Sequence, residues 1–135
     1  MLYLLDTNIF IYLMKRRPPQ VLERFRLLQT GDVVISAVTL AELRHGIERC
    51  EVGDKETAEH ALRELLSLIP ALPFDNLAAY SYGILAAAIR DRRRDALDRM
   101  IAAHAISLDV ILVTNNTADF LDYPGLKLEN WVESG

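Results

Sequence analysis

Short apolar runs alternate with segments of helical periodicity from one end of this chain to the other. Residues 2–5, 33–35 and 110–114 are nearly continuous in Leu, Ile and Val, the mark of strands covered on both faces. Between and around them lie 9–14, 21–28, 36–49, 56–69, 75–89 and 96–108, which read as helices. Strands alternating with helices require right-handed crossovers, so the order predicts an α/β fold with a central, mostly parallel sheet of about four to five strands flanked by helices. Residues 71–74 and 126–129 are weaker strand candidates, the first held to an edge or a strand end by Pro73. Two helices in succession between 36 and 69 predict a protruding helical hairpin. Pro18-Pro19 stops the first helix, Gly31 the second, and Thr7 or Asn8 is expected to cap the first at its start.

A chain of 135 residues with 51% hydrophobic content can build one substantial core, and a single domain over 1–135 is expected. Its net charge of −4 argues against a protein that coats nucleic acid non-specifically. It does not argue against a nuclease, in which acidic ligands and a basic patch coexist. Cys50 is the only cysteine, so there is no intrachain disulfide and no cysteine zinc site. That usage, together with an N-terminus lacking a basic leader and the absence of a long apolar stretch, leads to the expectation of a cytoplasmic protein.

Four acidic residues stand at the ends of these elements. Asp6 closes the run Tyr3-Leu4-Leu5, Glu42 rides the first turns of the helix after Ser36, Asp98 opens the helix Arg99-Met100-Ile101-Ala102-Ala103-His104-Ala105, and Asp119 follows the last strong strand. Ligands of open α/β sheets bind beyond the carboxyl ends of the strands. Carboxylates converging there repel one another unless a cation lies between them, and oxygen-only ligands suit Mg²⁺ or Mn²⁺. Carboxylate-held Mg²⁺ is the equipment of phosphoryl-transfer chemistry, of which nucleic-acid hydrolysis is a large branch. Each residue also has a bland reading. Asp6-Thr7-Asn8 is ordinary N-cap chemistry, Glu42 suits a solvated helix face, and Asp95 and Asp98 suit a helix dipole.

Basic residues gather in two places. Arg92, Arg93, Arg94 and Arg99 surround Asp98, and Lys15-Arg16-Arg17 ends the first helix. Both suit contacts to phosphates, or simply solvated charge. The stretch Thr114-Asn115-Asn116-Thr117-Ala118-Asp119-Phe120 presents hydroxyls, amides and a carboxylate directly after a hydrophobic strand. His45, His60 and His104 have no zinc spacing. Ser36 forms no triad pattern with them, and His104, on an apolar helix, reads as a core residue or one that supports the site from behind.

Taken together, the chain resembles the PIN-domain ribonucleases and, within them, the VapC toxins of bacterial type II toxin–antitoxin systems. The resemblance rests on Leu5-Asp6-Thr7-Asn8, on Ile35-Ser36 leading to Glu42-Leu43 and Gly46, and on Asp98 with Ile101-Ala102-Ala103-His104-Ala105. It continues in Leu112-Val113-Thr114-Asn115-Asn116 through Phe120, Pro124-Gly125-Leu126 and Glu129-Asn130-Trp131. It implies a PIN fold and Mg²⁺- or Mn²⁺-dependent endoribonuclease activity. It also implies metal ligands at Asp6, Glu42, Asp98 and Asp119, with Asn116 able to share the last role. Thr7, Asn8, Thr114 and Asn116 would orient those ligands. RNA, with tRNA foremost, would be the substrate, and a homodimer inhibited by a VapB-type antitoxin the assembly. Relatives often carry a glycine- and proline-containing loop before the Asp98 position, where this chain has Asp91-Arg92-Arg93-Arg94-Asp95. Two other classes remain open. One is a catalytically silent module binding RNA or a partner, which metal titration would separate. The other is a small-molecule phosphatase, disfavoured by the lack of a phosphate-cradling glycine loop.

Overall fold

A computed structural model describes residues 1–89 and 96–133 of the chain. Arg92, Arg93 and Arg94 lie outside the described residues. Five strands, β1 (Tyr3–Leu5), β2 (Val33–Ser36), β3 (Ala71–Leu72), β4 (Ile111–Val113) and β5 (Lys127–Glu129), form one sheet in the order β3-β2-β1-β4-β5. Every pairing is parallel, with Leu4 opposite Val34 on one side and Leu112 on the other. The helices are α1 (Thr7–Lys15), α2 (Pro19–Arg26), α3 (Ala37–Glu48), α4 (Val52–Leu66), α5 (Asn76–Ala88) and α6 (Ala96–Leu108).

The period-2 alternation of strands divides the core in two. Leu4 and Leu112 face α5 and α6, packing with Leu85, Ile101, Ala102 and Ala105. Leu5, Ile35 and Val113 face the other way, against Ile9, Phe10, Leu43, Ile47 and Leu62 of α1, α3 and α4. Both layers are needed because strands buried on two faces have no solvated side, which is why β2 is buried at all four positions. Helix α6 carries five consecutive buried residues, Ile101 to Ala105, since it lies between α5 and α3, and its alanines let the neighbours approach closely.

The N-cap of α1 is Asp6, not Thr7 or Asn8: the Ile9 N–H donates to Asp6 Oδ1 at 3.0 Å, and Thr7 is already the first helical residue. Helix α2 begins at Pro19, where a missing N–H costs nothing. Helix α4 begins at Val52, four residues before the periodicity predicts, because its first turn is solvated and its Val52 is 91% exposed. The α3–α4 hairpin is joined on its outer side by Arg44–Glu59 at 2.7 Å and Lys55–Glu48 at 2.7 Å. At the far end of the chain, Trp131 stands edge-on to Tyr3 at 5.4 Å beneath Arg24, and Gln20 donates to the Val132 carbonyl at 2.8 Å. The last strand and α2 are thereby fastened together. Among the described residues no helix is long and apolar enough to cross a membrane.

Candidate active site

Parallel strands deliver their carboxyl ends to one rim of the sheet, and three elements there supply acidic groups. Asp6 follows β1, Glu42 lies on the second turn of α3, and Asp98 lies in the first turn of α6. With Thr7 and Asn8 they line a cavity of about 120 Å³. Residues 6, 42 and 98 are remote in sequence, and the crossovers bring them together.

The groups around these carboxylates hold them in place. The Thr7 hydroxyl donates to Glu42 Oε1 at 2.6 Å and lies 3.3 Å from the Thr39 hydroxyl. Thr39 is fully buried, so the α1 start is pinned to α3 by a polar contact inside the core. The Asp6 N–H donates to the Val113 carbonyl at 3.0 Å. Its carboxylate accepts from the Ile9 N–H and from the Thr114 hydroxyl, and Thr114 Oγ1 in turn accepts from the Asn116 N–H at 3.1 Å.

Burial pushes the Asp6 carboxyl up to about 6 from 3.8, the two hydrogen bonds oppose the rise, and the negative charges of Asp98 and Glu42 add to it. An acid held up this way is one whose charged form is buried and, among the described residues, faces like charges instead of a cation. Among the described residues no three Asp, Glu, His or Cys side chains are gathered tightly enough to hold a cation by themselves. Mg²⁺ does not require that: it keeps several waters and takes one or two carboxylates directly. The all-oxygen donor set, the small shared cavity and the uncompensated charge at Asp6 fit such an ion.

Among the described residues, the remaining candidates do not line this cavity. Asn116 Nδ2 donates to Asp119 Oδ2, so the two are paired with each other on the loop after β4, and neither lines the cavity. Thr114 is fully buried behind Asp6. Lys15 closes the last turn of α1 and lines a neighbouring groove, Arg16 is its exposed C-cap, and Arg99 is half-buried beside Asp98 on α6.

That groove, of about 470 Å³, lies between α1, α3 and α4. Ile11, Met14, Leu43, Ile47, Ala58 and Ala61 line it, and so does Glu42. The groove and the acidic cavity therefore share a wall. The apolar faces of 36–69 hint at such a surface in the sequence, but its continuity with Glu42 depends on how α1 crosses the hairpin.

Sequence spacing also hides a contact between Ser36 and His104, whose Oγ and Nδ1 lie 2.8 Å apart. Nucleophile and base are within reach of each other, but both are at most 1% exposed, which leaves a substrate no access and argues against serine-hydrolase chemistry.

A five-stranded parallel sheet with carboxylates gathered at its carboxyl rim is the architecture of a known family: the PIN domain profile matches residues 3–126, and the chain belongs to the PIN-domain family. It is 40% identical over 131 residues to the tRNA(fMet)-specific endonuclease VapC of Shigella flexneri, covering 96% of this chain and 97% of that one. It is 37% identical over 132 residues to ribonuclease VapC2 of Haemophilus influenzae, covering 96% and 98%. The solved structure of VapBC2 from Rickettsia felis, bound to a DNA fragment from their promoter, superposes with a TM-score of 0.87 at 33% identity, covering 97% and 99% of the two chains. Within the PIN-domain family this is the VapC branch.

Proposed function

We propose that this protein is the toxin of a type II toxin–antitoxin pair, a Mg²⁺- or Mn²⁺-dependent endoribonuclease acting in the cytoplasm on tRNA. The observation that carries the reading is the convergence of Asp6, Glu42 and Asp98 on one cavity, with the Asp6 carboxyl driven up by burial and by the other two. The full-length similarity to a tRNA(fMet)-specific endonuclease supports the substrate.

Asp6, Glu42 and Asp98 would hold the ion, Asp6 oriented by Thr114 and Glu42 by Thr7. Once bound, the ion would lower the pKa of the attacking water and neutralise charge developing on the scissile phosphate. Asn116 and Asp119, paired with each other after β4, would complete the ligand set only by turning toward the cavity, which neither lines. Hydrolysis joins the water oxygen to phosphorus and breaks the P–O3′ bond. The water's protons end on the leaving 3′ oxygen and in solvent, and the downstream product carries a 5′ phosphate. Among the described residues no histidine lines the acidic cavity, so the carboxylates manage the protons.

The deciding experiment incubates total cellular RNA with the purified protein or with Asp98→Asn, in Mg²⁺, Mn²⁺ or EDTA. A discrete product is expected only with the unaltered protein and metal. Asp98→Asn keeps side-chain shape and removes one charge, and should cut the rate at least about a hundredfold. Equal cleavage by the variant, or cleavage in EDTA, rejects the reading.

The assembly we propose is a homodimer through α5. Its thirteen residues, Asn76–Ala88, include no charge. Leu77, Tyr80 and Ile84 on its outer face are 66%, 74% and 74% exposed. In a chain of net charge −4, an uncharged apolar helix face is where two copies can meet without repulsion. Ile84→Glu places like charges across the two-fold axis and should yield monomers by light scattering at micromolar concentration. A variant that stays dimeric excludes α5 as the interface.

The partner we propose is a VapB-type antitoxin, an amphipathic segment of which lies in the groove between α1, α3 and α4. From there an arginine can reach past Glu42 to the carboxylates and take the place of the cation.

A further inference from the structure

The site as described uses neither of the buried polar residues Ser36 and His104. Their side chains are 0% and 1% exposed, and Ser36 Oγ lies 2.8 Å from His104 Nδ1. The same Oγ accepts from the Val38 N–H at 3.1 Å, which makes Ser36 the N-cap of α3. Phe74 closes the other side, edge-on to the imidazole at 5.5 Å. His104 belongs to α6, inside its run of buried apolar residues.

The placement of this contact is unlike that of a random core hydrogen bond. Ser36 is six positions before Glu42 at the start of α3, and His104 is six positions after Asp98 on α6. Each tied residue is thus about 9 Å along a helix from a carboxylate of the cavity, at 1.5 Å rise per residue. The helices that carry Glu42 and Asp98 pack against each other, and the Ser36–His104 hydrogen bond lies where the start of α3 meets the buried face of α6.

Stability alone does not call for a polar pair there. An apolar pair of the same shape in a buried site is close to neutral or better, because no group then has to give up water. A hydrogen bond differs from an apolar contact in that its length and direction are fixed, whereas packed hydrocarbon tolerates sliding. His104 is kept neutral in this setting, burial lowering its affinity for a proton, and a neutral imidazole can accept from the Ser36 hydroxyl while that hydroxyl accepts from Val38. The contact thereby ties the cap of α3 to the body of α6.

We infer that Ser36 and His104 are positioning residues that fix the register of α3 against α6, and so set the separation of Glu42 and Asp98 for a divalent cation. This rests on the metal-site reading above, and the test keeps the two apart. Mn²⁺ binding by the purified protein is measured by calorimetry and by electron paramagnetic resonance, together with the melting temperature and, on RNA, kcat and KM. The variants are His104→Phe, which keeps a ring and loses the nitrogen, His104→Asn, whose amide oxygen stands near Nδ1, and Ser36→Ala.

His104→Phe and Ser36→Ala should bind Mn²⁺ 10- to 100-fold more weakly, the usual effect of removing a residue that orients metal ligands. The kcat should fall with Mn²⁺ affinity while KM for RNA stays within about threefold, since neither residue touches the substrate. His104→Asn should recover most of both losses. Combining Ser36→Ala with His104→Phe should cost no more than the worse single change, because one contact is removed either way. A folded His104→Phe or Ser36→Ala with unaltered Mn²⁺ affinity overturns the inference and leaves the pair as core packing. If His104→Phe does not fold, Ser36→Ala and His104→Asn decide it alone. If the unaltered protein binds no Mn²⁺, the metal reading fails, and the spacing role falls with it.

Discussion

Asp6→Asn will abolish metal-dependent RNA cleavage and at the same time raise the melting temperature of the metal-free protein. The loss follows because Asn removes the central carboxylate of the proposed metal site. The gain follows from the environment of Asp6. Burial, and then the charges of Asp98 and Glu42, hold its carboxyl at about 6 in the folded chain against 3.8 ordinarily. A carboxyl with a raised folded pKa contributes stability that is complete below about 3.8 and is lost as pH rises through about 6. At pH 7.5 the folded protein therefore carries a penalty of about 3 kcal/mol at that position. Asn carries no such charge and caps a helix as well as Asp, so the bond from the Ile9 N–H survives. Calorimetry in EDTA should show the variant more stable by several degrees, up to about 10 °C, at pH 7.5, with the difference shrinking toward pH 4. Saturating Mn²⁺ should narrow the gap from the other side, by stabilising only the unaltered protein. A variant no more stable than the parent at pH 7.5 would show that Asp6 is not strained by its neighbours.

Ala58→Trp should free the protein from the proposed antitoxin while leaving RNA cleavage intact. Ala58 lies on α4 and lines the groove together with Leu43 and Ile47, and an indole there would occupy much of its 470 Å³. The acidic cavity is lined by other residues, so cleavage should change by less than about threefold. Inhibition by the cognate antitoxin should weaken at least a hundredfold, about 2.7 kcal/mol, as expected when a central buried contact is excluded. Titrating antitoxin into a cleavage assay reads both quantities together. Inhibition as tight as for the parent would mean the partner binds elsewhere.

These two residues differ in how visible they are before the fold is known. Asp6 is legible because a parallel strand buried on both faces must be an apolar run, and Leu4-Leu5 ending abruptly in Asp-Thr-Asn marks its carboxyl end. Val33–Ser36 and Ile111–Val113 are legible for the same reason. The start of α4 is not, because Val52, Gly53 and Asp54 are solvated and obey no hydrophobic period. The cap of α1 falls one residue earlier than expected, on Asp6 itself, since Asp, Thr and Asn in succession are near-equivalent caps. Contacts across the fold leave no trace in spacing: Thr7 meets Glu42, and Ser36 meets His104, only because α3 crosses between α1 and α6. The α1–α3–α4 groove is half visible, its apolar residues apparent on each helix but its union with Glu42 set by packing.

The central strand of the sheet is also the first to be synthesised. Tyr3 is flanked by Val33 on one side and by Ile111 on the other, so β1 waits for more than a hundred residues to leave the ribosome before its second edge is covered. Asp98 emerges late as well, and Thr114, which steadies Asp6, later still. An interrupted translation product therefore carries no assembled cavity: a chain stopped before β4 has Asp6 at an open sheet edge and nothing behind it. Domains assemble as units once their last essential strand is available. For a protein whose proposed target is part of the translation machinery, fragments released before β4 would therefore lack the assembled site.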